Sequence, residues 1–224
     1  MTGSRSLAIL YFAAMGLIGA TAACTAATPS TPSTDLEFVT HASFFSGEMG
    51  INPVVDPHVF VADSGQPAAI GPQNIEHVAG FRPARLTDPE GSPIYNAQGV
   101  LLEGFTLGNW LAAGGTVRIT PGDGRATIAV SLRGLRPGGV YSLFENHFNE
   151  KPVGFTPLDG SGTSNSFTAS PEGTATITVT VPHVPTHDNA VLVVYHSDGQ
   201  THGTKRGTIG VNAHHQVIVR IPAA

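Results

Sequence analysis

Short extended segments separated by Gly, Pro and Asp turns fill the C-terminal half of the chain, and they constrain its fold more than any other feature. In the clearest example, residues 126–132, the apolar residues alternate with smaller or polar ones, which puts successive side chains on opposite faces of a strand. The patterns predict strands at residues 116–120, 126–132, 140–148, 166–170, 174–181, 190–196 and 215–221. We therefore expect an all-β fold, an antiparallel Ig-like or cupredoxin-like β-sandwich.

The remaining sequence predicts one short helix and long loops. Thr106 is a suitable N-cap for a helix over residues 107–113, which the following Gly-Gly pair would end. Trp110 in this helix is expected to pack into the core. Residues 35–103 are rich in Pro and Gly, so we expect long loops and edge strands in the N-terminal half. Only residues 57–62 and 93–95 look strand-like there.

The N-terminus has the pattern of an export signal. Arg5 precedes an apolar stretch over residues 7–18, which is too short for a membrane-spanning helix. The small residues that follow, ending at the lone Cys24, resemble the lipobox of bacterial lipoproteins, although Thr21 stands where Leu is usual. This resemblance implies that Cys24 is lipidated and that the protein is anchored to the cell envelope outside the cytoplasm. The alternative is ordinary cleavage after Ala22, which would leave Cys24 as a free thiol.

These features divide the chain into three predicted parts. Residues 1–23 are the lipoprotein signal, and residues 24–36 combine the lipidated cysteine with a Thr/Ser/Pro-rich tether that has no apolar periodicity. Residues 37–224 form a single β-sandwich domain, long enough to bury a substantial core. Because the chain has one cysteine, no intramolecular disulfide can stabilise that domain.

The charge balance bears on the partners of the protein. The chain has 11 basic and 16 acidic residues, a net charge of −5, and removal of residues 1–23 would take away Arg5 and no acid. Since no basic cluster is present, we expect no nucleic acid partner and membrane contact through the lipid anchor alone. A glycan or protein partner that binds the loops at one end of the sandwich stays open.

Histidine is concentrated in the C-terminal half. Seven of the ten histidines lie between His147 and His215, and imidazole is a good ligand for copper and zinc. A blue-copper site is not expected, because it needs a thiolate and the one cysteine is assigned to the lipid. The candidate metal ligands lie at strand ends: Glu145, His147, His196, His202 and His215. The alternative is that these histidines are solvated residues with no ligand.

The segment YHSDGQTHG, residues 195–203, decides whether two of these candidates converge. If it is a hairpin with a two-residue turn at Asp198 and Gly199, His196 and His202 point to opposite faces. A three-residue loop over residues 197–199, with Gly199 left-handed, puts both histidines on one face, and we favour it because glycine suits that position.

Strand alternation and loop composition sort the other histidines. His215 shares the more apolar face of its strand with Val217, so we expect it at the rim of the core and His214 in solvent. The rest are expected in loops outside the site: His41, His58, His77, His183 and His187.

Two hypotheses for function follow. The first is a membrane-anchored sandwich with a histidine-based copper or zinc site, for binding or redox chemistry. The second is a non-enzymatic adhesion or binding module without metal. No nucleophile elbow or triad spacing is present, so the sequence predicts no particular reaction.

Overall fold

In the computed structural model, which describes Met1 and residues 32–223, antiparallel strands are the main secondary structure. In chain order, the strands are β1 (Thr34–Glu37), β2 (Val39–Thr40), β3 (Val55–Ala62), β4 (Ala69–Ile70), β5 (Glu76–His77), β6 (Phe81–Arg85), β7 (Pro93–Tyr95), β8 (Leu101–Thr106), β9 (Gly114–Gly122), β10 (Arg125–Arg133), β11 (Val140–His147), β12 (Gly154–Pro157), β13 (Ser166–Thr168), β14 (Ala175–Val181), β15 (Asn189–His196) and β16 (Ala213–Arg220). The helices are α1 (His41–Met49) and α2 (Leu107–Leu111), with a 3-10 turn at Pro72–Asn74.

Two sheets form the sandwich that the sequence predicts. One has the order β1-β9-β10-β14, and the other has the order β12-β11-β15-β16-β2, with β13 also pairing with β11. Their facing side chains, such as Ile128 from the first sheet and Leu143 and Val217 from the second, share one buried core. A third sheet, β6-β3-β7-β8, contributes Val59 and Ile94 to the same core.

Strand β10 shows the alternation of buried and exposed side chains that the sequence predicts for residues 126–132. In β10 the predicted inward residues, Ala126 to Leu132 in steps of two, are all buried, and their neighbours are exposed or half-buried. A two-residue turn joins β9 to β10, with both Asp123 and Gly124 at positive φ, +46° and +73°. That is the turn which matches the twist of a tight hairpin.

The N-terminal half contains more regular structure than its composition indicates. Helix α1 has Thr40 as N-cap and a left-handed Gly50 (φ +64°) as C-cap. Its sequence, HASFFSGEM, has no clear apolar stripe, so periodicity did not identify it. The predicted helix α2 is present, with a capping box at Thr106, and Trp110 is 1% exposed as expected. No helix within the described residues is both long enough and apolar enough to cross a bilayer.

The first strand of the described residues lies partly inside the segment that we assigned to the tether. Strand β1 starts at Thr34 and pairs with β9, with Leu36 opposite Val117. Asp35 accepts two hydrogen bonds from Arg118, at 2.6 and 2.9 Å. Cys24 and the predicted signal, Met1 apart, lie outside the described residues, and the signal and anchor stay predictions.

Both faces of the six-stranded sheet are covered, which accounts for the complete burial of β15. The face away from the main core carries a second apolar cluster that includes Phe144, Leu192 and Ile218. Phe44 of α1 and Phe155 of β12 pack against this cluster. The space between α1 and this second face is where the histidines meet.

A β-bulge in β16 decides which way His215 points. Val193 pairs with Val217, but Val194 pairs with His215, so Gln216 is an extra residue in β16. Val193 and Val217 belong to the main core, whereas Val194 belongs to the second cluster. His215 therefore faces α1 and not the side that Val217 faces, contrary to the expectation from simple alternation.

The same bulge buries His214, and the expectation that His214 is solvated was wrong. It pairs with Tyr195 and is 0% exposed. Its Nδ1 donates to the carbonyl oxygen of His58, at 2.9 Å, and its ring lies edge-on to Trp110. His214 thereby fixes β16 against β3.

Candidate metal centre

Three buried histidines from three different elements meet between α1 and the six-stranded sheet. His41 is the first residue of α1, His58 lies in β3 and His215 lies in β16, with exposed fractions of 3%, 0% and 1%. One nitrogen from each lies within 4.8 Å of the other two. The rings of His58 and His215 stack with centroids 4.0 Å apart, and the ring of His41 stands edge-on to both at 5.0 and 4.8 Å. We call these three residues the triad.

Local structure places each member of the triad. Thr40 pairs with Val217 in the sheet and also caps α1, so the start of the helix lies beside β16. Ser46 of α1 exchanges hydrogen bonds with the backbone of Val55, which fixes the helix to β3. Together with the bulge in β16, these contacts direct three imidazoles to one point.

A buried carboxylate supports β3 next to the triad. Asp56 accepts hydrogen bonds from the backbone N–H of His58 and from Nε1 of Trp110, both at 2.8 Å. Burial raises the pKa of Asp56 to about 6, and those two hydrogen bonds oppose the rise. At neutral pH the carboxylate is therefore ionised and holds both donors.

His58 presents a lone pair that nothing in the described structure satisfies. Its Nε2 is 2.7 Å from the amide oxygen of Gln73, and because that oxygen only accepts, Nε2 is the protonated nitrogen. Nδ1 is therefore an unprotonated acceptor, and it is buried without a partner. Gln73 is held at φ +57°, a left-handed conformation that disfavours residues other than glycine. Metal-bound histidines commonly donate their second nitrogen in this way.

A chain of hydrogen bonds joins the other two members of the triad. Arg206 Nη1 lies 3.0 Å from His215 Nε2, and since a guanidinium only donates, Nε2 is the acceptor. The proton of the neutral His215 ring is then on Nδ1, 3.4 Å from His41 Nε2. Two nitrogens bound at about 2.0–2.1 Å to one tetrahedral zinc ion are themselves about 3.4 Å apart. An ion can therefore replace this shared proton with little movement of the two rings.

The electrostatics of the triad favour the metal-binding form of histidine. Burial, together with the nearby charge of Arg206, lowers the pKa of His41 to about 3. Burial and mutual proximity hold the pKa values of His58 and His215 well below the usual 6.5. All three rings are thus neutral at neutral pH, and neutral imidazole is the form that binds metal.

Among the sequence-predicted residues, His196 and His202 lie together in a second group with Asp198. Their ring centroids are 5.1 Å apart, and one ligand atom from each of the three residues lies within 4.8 Å of the others. His202 Nε2 is 3.2 Å from Asp198 Oδ2. His196 Nε2 is 2.8 Å from Ser142 Oγ, and its buried Nδ1 has no partner in the described part of the chain.

Both hairpin geometries for residues 195–203 were wrong. His196 pairs with Ala213 of β16, so the partner strand lies further along the chain and residues 197–212 form the connection. Gly199 does adopt the left-handed conformation, at φ +70°, and its N–H donates to the His196 carbonyl at 3.2 Å. The two histidines approach each other because the longer loop folds back. Asn212 stabilises that loop by a 2.9 Å bond to Asp198.

Glu145 and His147 belong to neither group. Val140 is opposite His196 and His147 is opposite Asn189, so His147 is about 23 Å along the strand from His196 at 3.3 Å per residue. Glu145 accepts a 3.0 Å hydrogen bond from His183. Both nitrogens of His147 have partners, Thr156 at 2.8 Å and Asn189 at 3.2 Å. These contacts occupy the groups that would otherwise bind an ion.

The expectation that His41 and His58 lie in loops outside the site therefore missed two of the three residues in the triad. His58 gave a usable signal, because it falls inside the apolar run PHVFVA, where a buried histidine needs a partner. His41 gave none, since its helix has no recognisable apolar stripe. No protein-family model matches the sequence, and no curated protein matches it significantly.

Proposed function

We propose that this protein binds one copper or zinc ion through His41, His58 and His215. The observation that carries this proposal is a buried set of three neutral imidazoles in which His58 Nδ1 has no hydrogen-bond partner among the described residues. Three nitrogen donors with no carboxylate or thiolate in the cluster suit these two ions better than magnesium or calcium.

The energetics of the triad support a ligand. An unsatisfied buried polar group costs about 1–3 kcal/mol, and His41 Nδ1 and His58 Nδ1 are two such groups. A purely structural role would be served better by apolar side chains of similar volume. A bound ion offsets the cost of burying His58 Nδ1, because it occupies that lone pair.

Metal analysis of the full-length protein tests the proposal. After incubation with zinc or copper and gel filtration, we expect about one tightly bound ion per chain, which is lost in His58→Ala. His187→Ala is the matched control, because the His187 side chain is exposed and its ring contacts the adjacent Asp188, while its contact with Arg220 is through the backbone carbonyl and is kept in the variant. A wild-type protein that folds normally and retains no ion at micromolar metal would overturn the proposal. It would favour instead the binding module without metal.

A second, weaker ion at His196, Asp198 and His202 is proposed from the unpartnered Nδ1 of His196. Asp198 and His202 are part-exposed and bonded to each other, so an ion there must displace an existing contact. We expect His196→Ala with His202→Ala to remove only the weaker ion. Loss of the tight ion in that double variant would assign the tight site to this group.

We also propose that the protein is exported and anchored by lipid at Cys24. The support is the apolar N-terminal stretch and the small-residue run before the lone cysteine. Labelling of cells with a radioactive fatty acid tests it. Label on the wild type that disappears in Cys24→Ala supports the anchor, and unlabelled wild-type protein would overturn it.

A further inference from the structure

An apolar pocket of about 540 Å³ opens beside the triad, between α1 and the ends of β11 and β12. Its volume lies within the range of about 300–1,000 Å³ that is common for small-molecule sites. Most of its lining is aromatic or aliphatic, and the apolar residues include Phe44, Phe45, Met49, Phe148, Val153 and Phe155. His41 also lines it, so the pocket and the triad share a wall.

Arg206 gives this apolar pocket a positive charge. Its guanidinium carbon is 3.2 Å from the centroid of the Phe155 ring, and its Nη1 contacts His215. No carboxylate within the described part of the chain forms an ion pair with it. An arginine guanidinium is a cation at neutral pH. A half-buried cation without a counter-ion favours an anionic ligand.

The polar residues Asn146 and Glu48 also line the pocket. Asn146 is 4% exposed, and its buried Oδ1 has no hydrogen-bond partner within residues 32–223. Glu48 contributes the only carboxylate of the lining, and Arg220 binds it at 3.4 Å, so its charge is offset. The free charge that faces the cavity is therefore that of Arg206.

We propose that this pocket binds an amphipathic monocarboxylate, with its anionic group on Arg206 and its apolar body between Phe44, Phe148 and Phe155. Bidentate hydrogen bonding suits a guanidinium and a carboxylate. Phosphate-like dianions without an apolar part would leave most of the lining uncovered. This binding does not require the metal ion.

One extension rests on the proposed metal site. When an ion occupies His215 Nδ1, the neutral ring carries its proton on Nε2 and no longer accepts from Arg206. The Arg206 guanidinium is then free to turn towards the pocket. The positive charge of the ion and that of Arg206 both attract the carboxylate. Metal should therefore tighten carboxylate binding, and the carboxylate should tighten metal binding by the same factor.

Titration calorimetry with octanoate tests the pocket, using the full-length protein in nanodiscs and empty nanodiscs as the blank. We expect one octanoate per metal-free chain, with 1-octanol and octylamine binding at least tenfold more weakly and acetate not detectably. Arg206→Gln should weaken octanoate at least tenfold, and Arg206→Lys should restore most of the affinity. Arg133→Gln, an exposed arginine in β10, is the matched control and should change nothing.

The proposal is overturned if octanol binds as tightly as octanoate, or if Arg206→Gln leaves octanoate affinity unchanged while the protein keeps its unfolding temperature. The extension is tested by repeating the octanoate titration with zinc-loaded protein. We expect octanoate to bind at least fivefold more tightly than to the metal-free protein, and we expect His58→Ala to remove this gain. Equal affinity with and without zinc would overturn the coupling. Failure of metal binding itself would be seen in the metal analysis and would leave the metal-free octanoate result intact.

Discussion

His215 Nδ1 lies 3.4 Å from His41 Nε2, although the two residues are 174 positions apart in the sequence. The bulge at Gln216 and the capped start of α1 together produce this proximity. Because His58 adds a third nitrogen that has no partner among the described residues, this contact supports the proposed metal site.

Gln73→Gly should separate the role of Gln73 in metal binding from its effect on folding. Loss of the amide that orients His58 should weaken zinc about tenfold, as for other supporting hydrogen bonds to metal-bound histidines. Because Gln73 has φ +57°, glycine relieves backbone strain there and offsets part of the cost, about 1–3 kcal/mol, of leaving the buried Nε2–H of His58 without its acceptor, so the metal-free protein should lose little stability. Chelator competition measures the zinc affinity, and urea unfolding measures the stability of the metal-free protein. Unchanged zinc affinity would show that Gln73 does not position His58.

The stability of the metal-free protein should fall as the pH is lowered from 7 to 5. Burial lowers the pKa values of His41 to about 3 and of His196 and His214 to about 4, with His58 and His215 also well below 6.5. Below pH 6.5 the unfolded chain therefore binds protons that the folded protein excludes, so stability present above 6.5 is lost on acidification.

Asp56 opposes this trend in part, because its folded pKa of about 6 makes the native state bind a proton between about pH 6 and 4. Each net proton contributes about 1.4 kcal/mol per pH unit. Urea unfolding at pH 7, 6 and 5 measures the slope. A free energy of unfolding that is constant or rises towards pH 5 would contradict the neutral, buried state of these histidines.

Asp56→Asn should destabilise the protein by about 1–3 kcal/mol. The carboxylate accepts from both Trp110 and His58, and the amide has only one accepting atom, so one buried donor loses its partner. Asp123→Asn is the matched control, because Asp123 is exposed in a turn at positive φ, which Asn tolerates. If both substitutions have equal effects on urea unfolding, Asp56 does not support β3 as described.

Arg206→Ala should strengthen metal binding, unlike substitutions of the triad. Arg206 donates to His215 Nε2 and places a positive charge next to the ion, so its removal should raise zinc affinity by a factor on the order of ten. Competition with a fluorescent zinc chelator measures this change. A fall in zinc affinity would mean that Arg206 holds His215 in its binding orientation.

Periodicity predicted the sandwich most clearly at strands such as β10, which bury one face only. It could not predict the triad, because the orientation of His215 depends on one extra residue in β16 and not on local alternation. It also could not identify α1, because the helix has no apolar stripe and its contact with the second cluster, through the partly buried Phe44, is tertiary packing. The proximity of His196 and His202 was expected from a short hairpin, whereas a longer loop produces it.

Anomalous diffraction at the zinc edge, from crystals of the zinc-loaded protein, tests the metal site most directly. We predict a single strong peak at about 2.0–2.1 Å from one nitrogen each of His41, His58 and His215, absent in crystals of His58→Ala. A strong peak confined to His196, Asp198 and His202, or the absence of any peak at the triad in well-ordered crystals, would contradict the assignment.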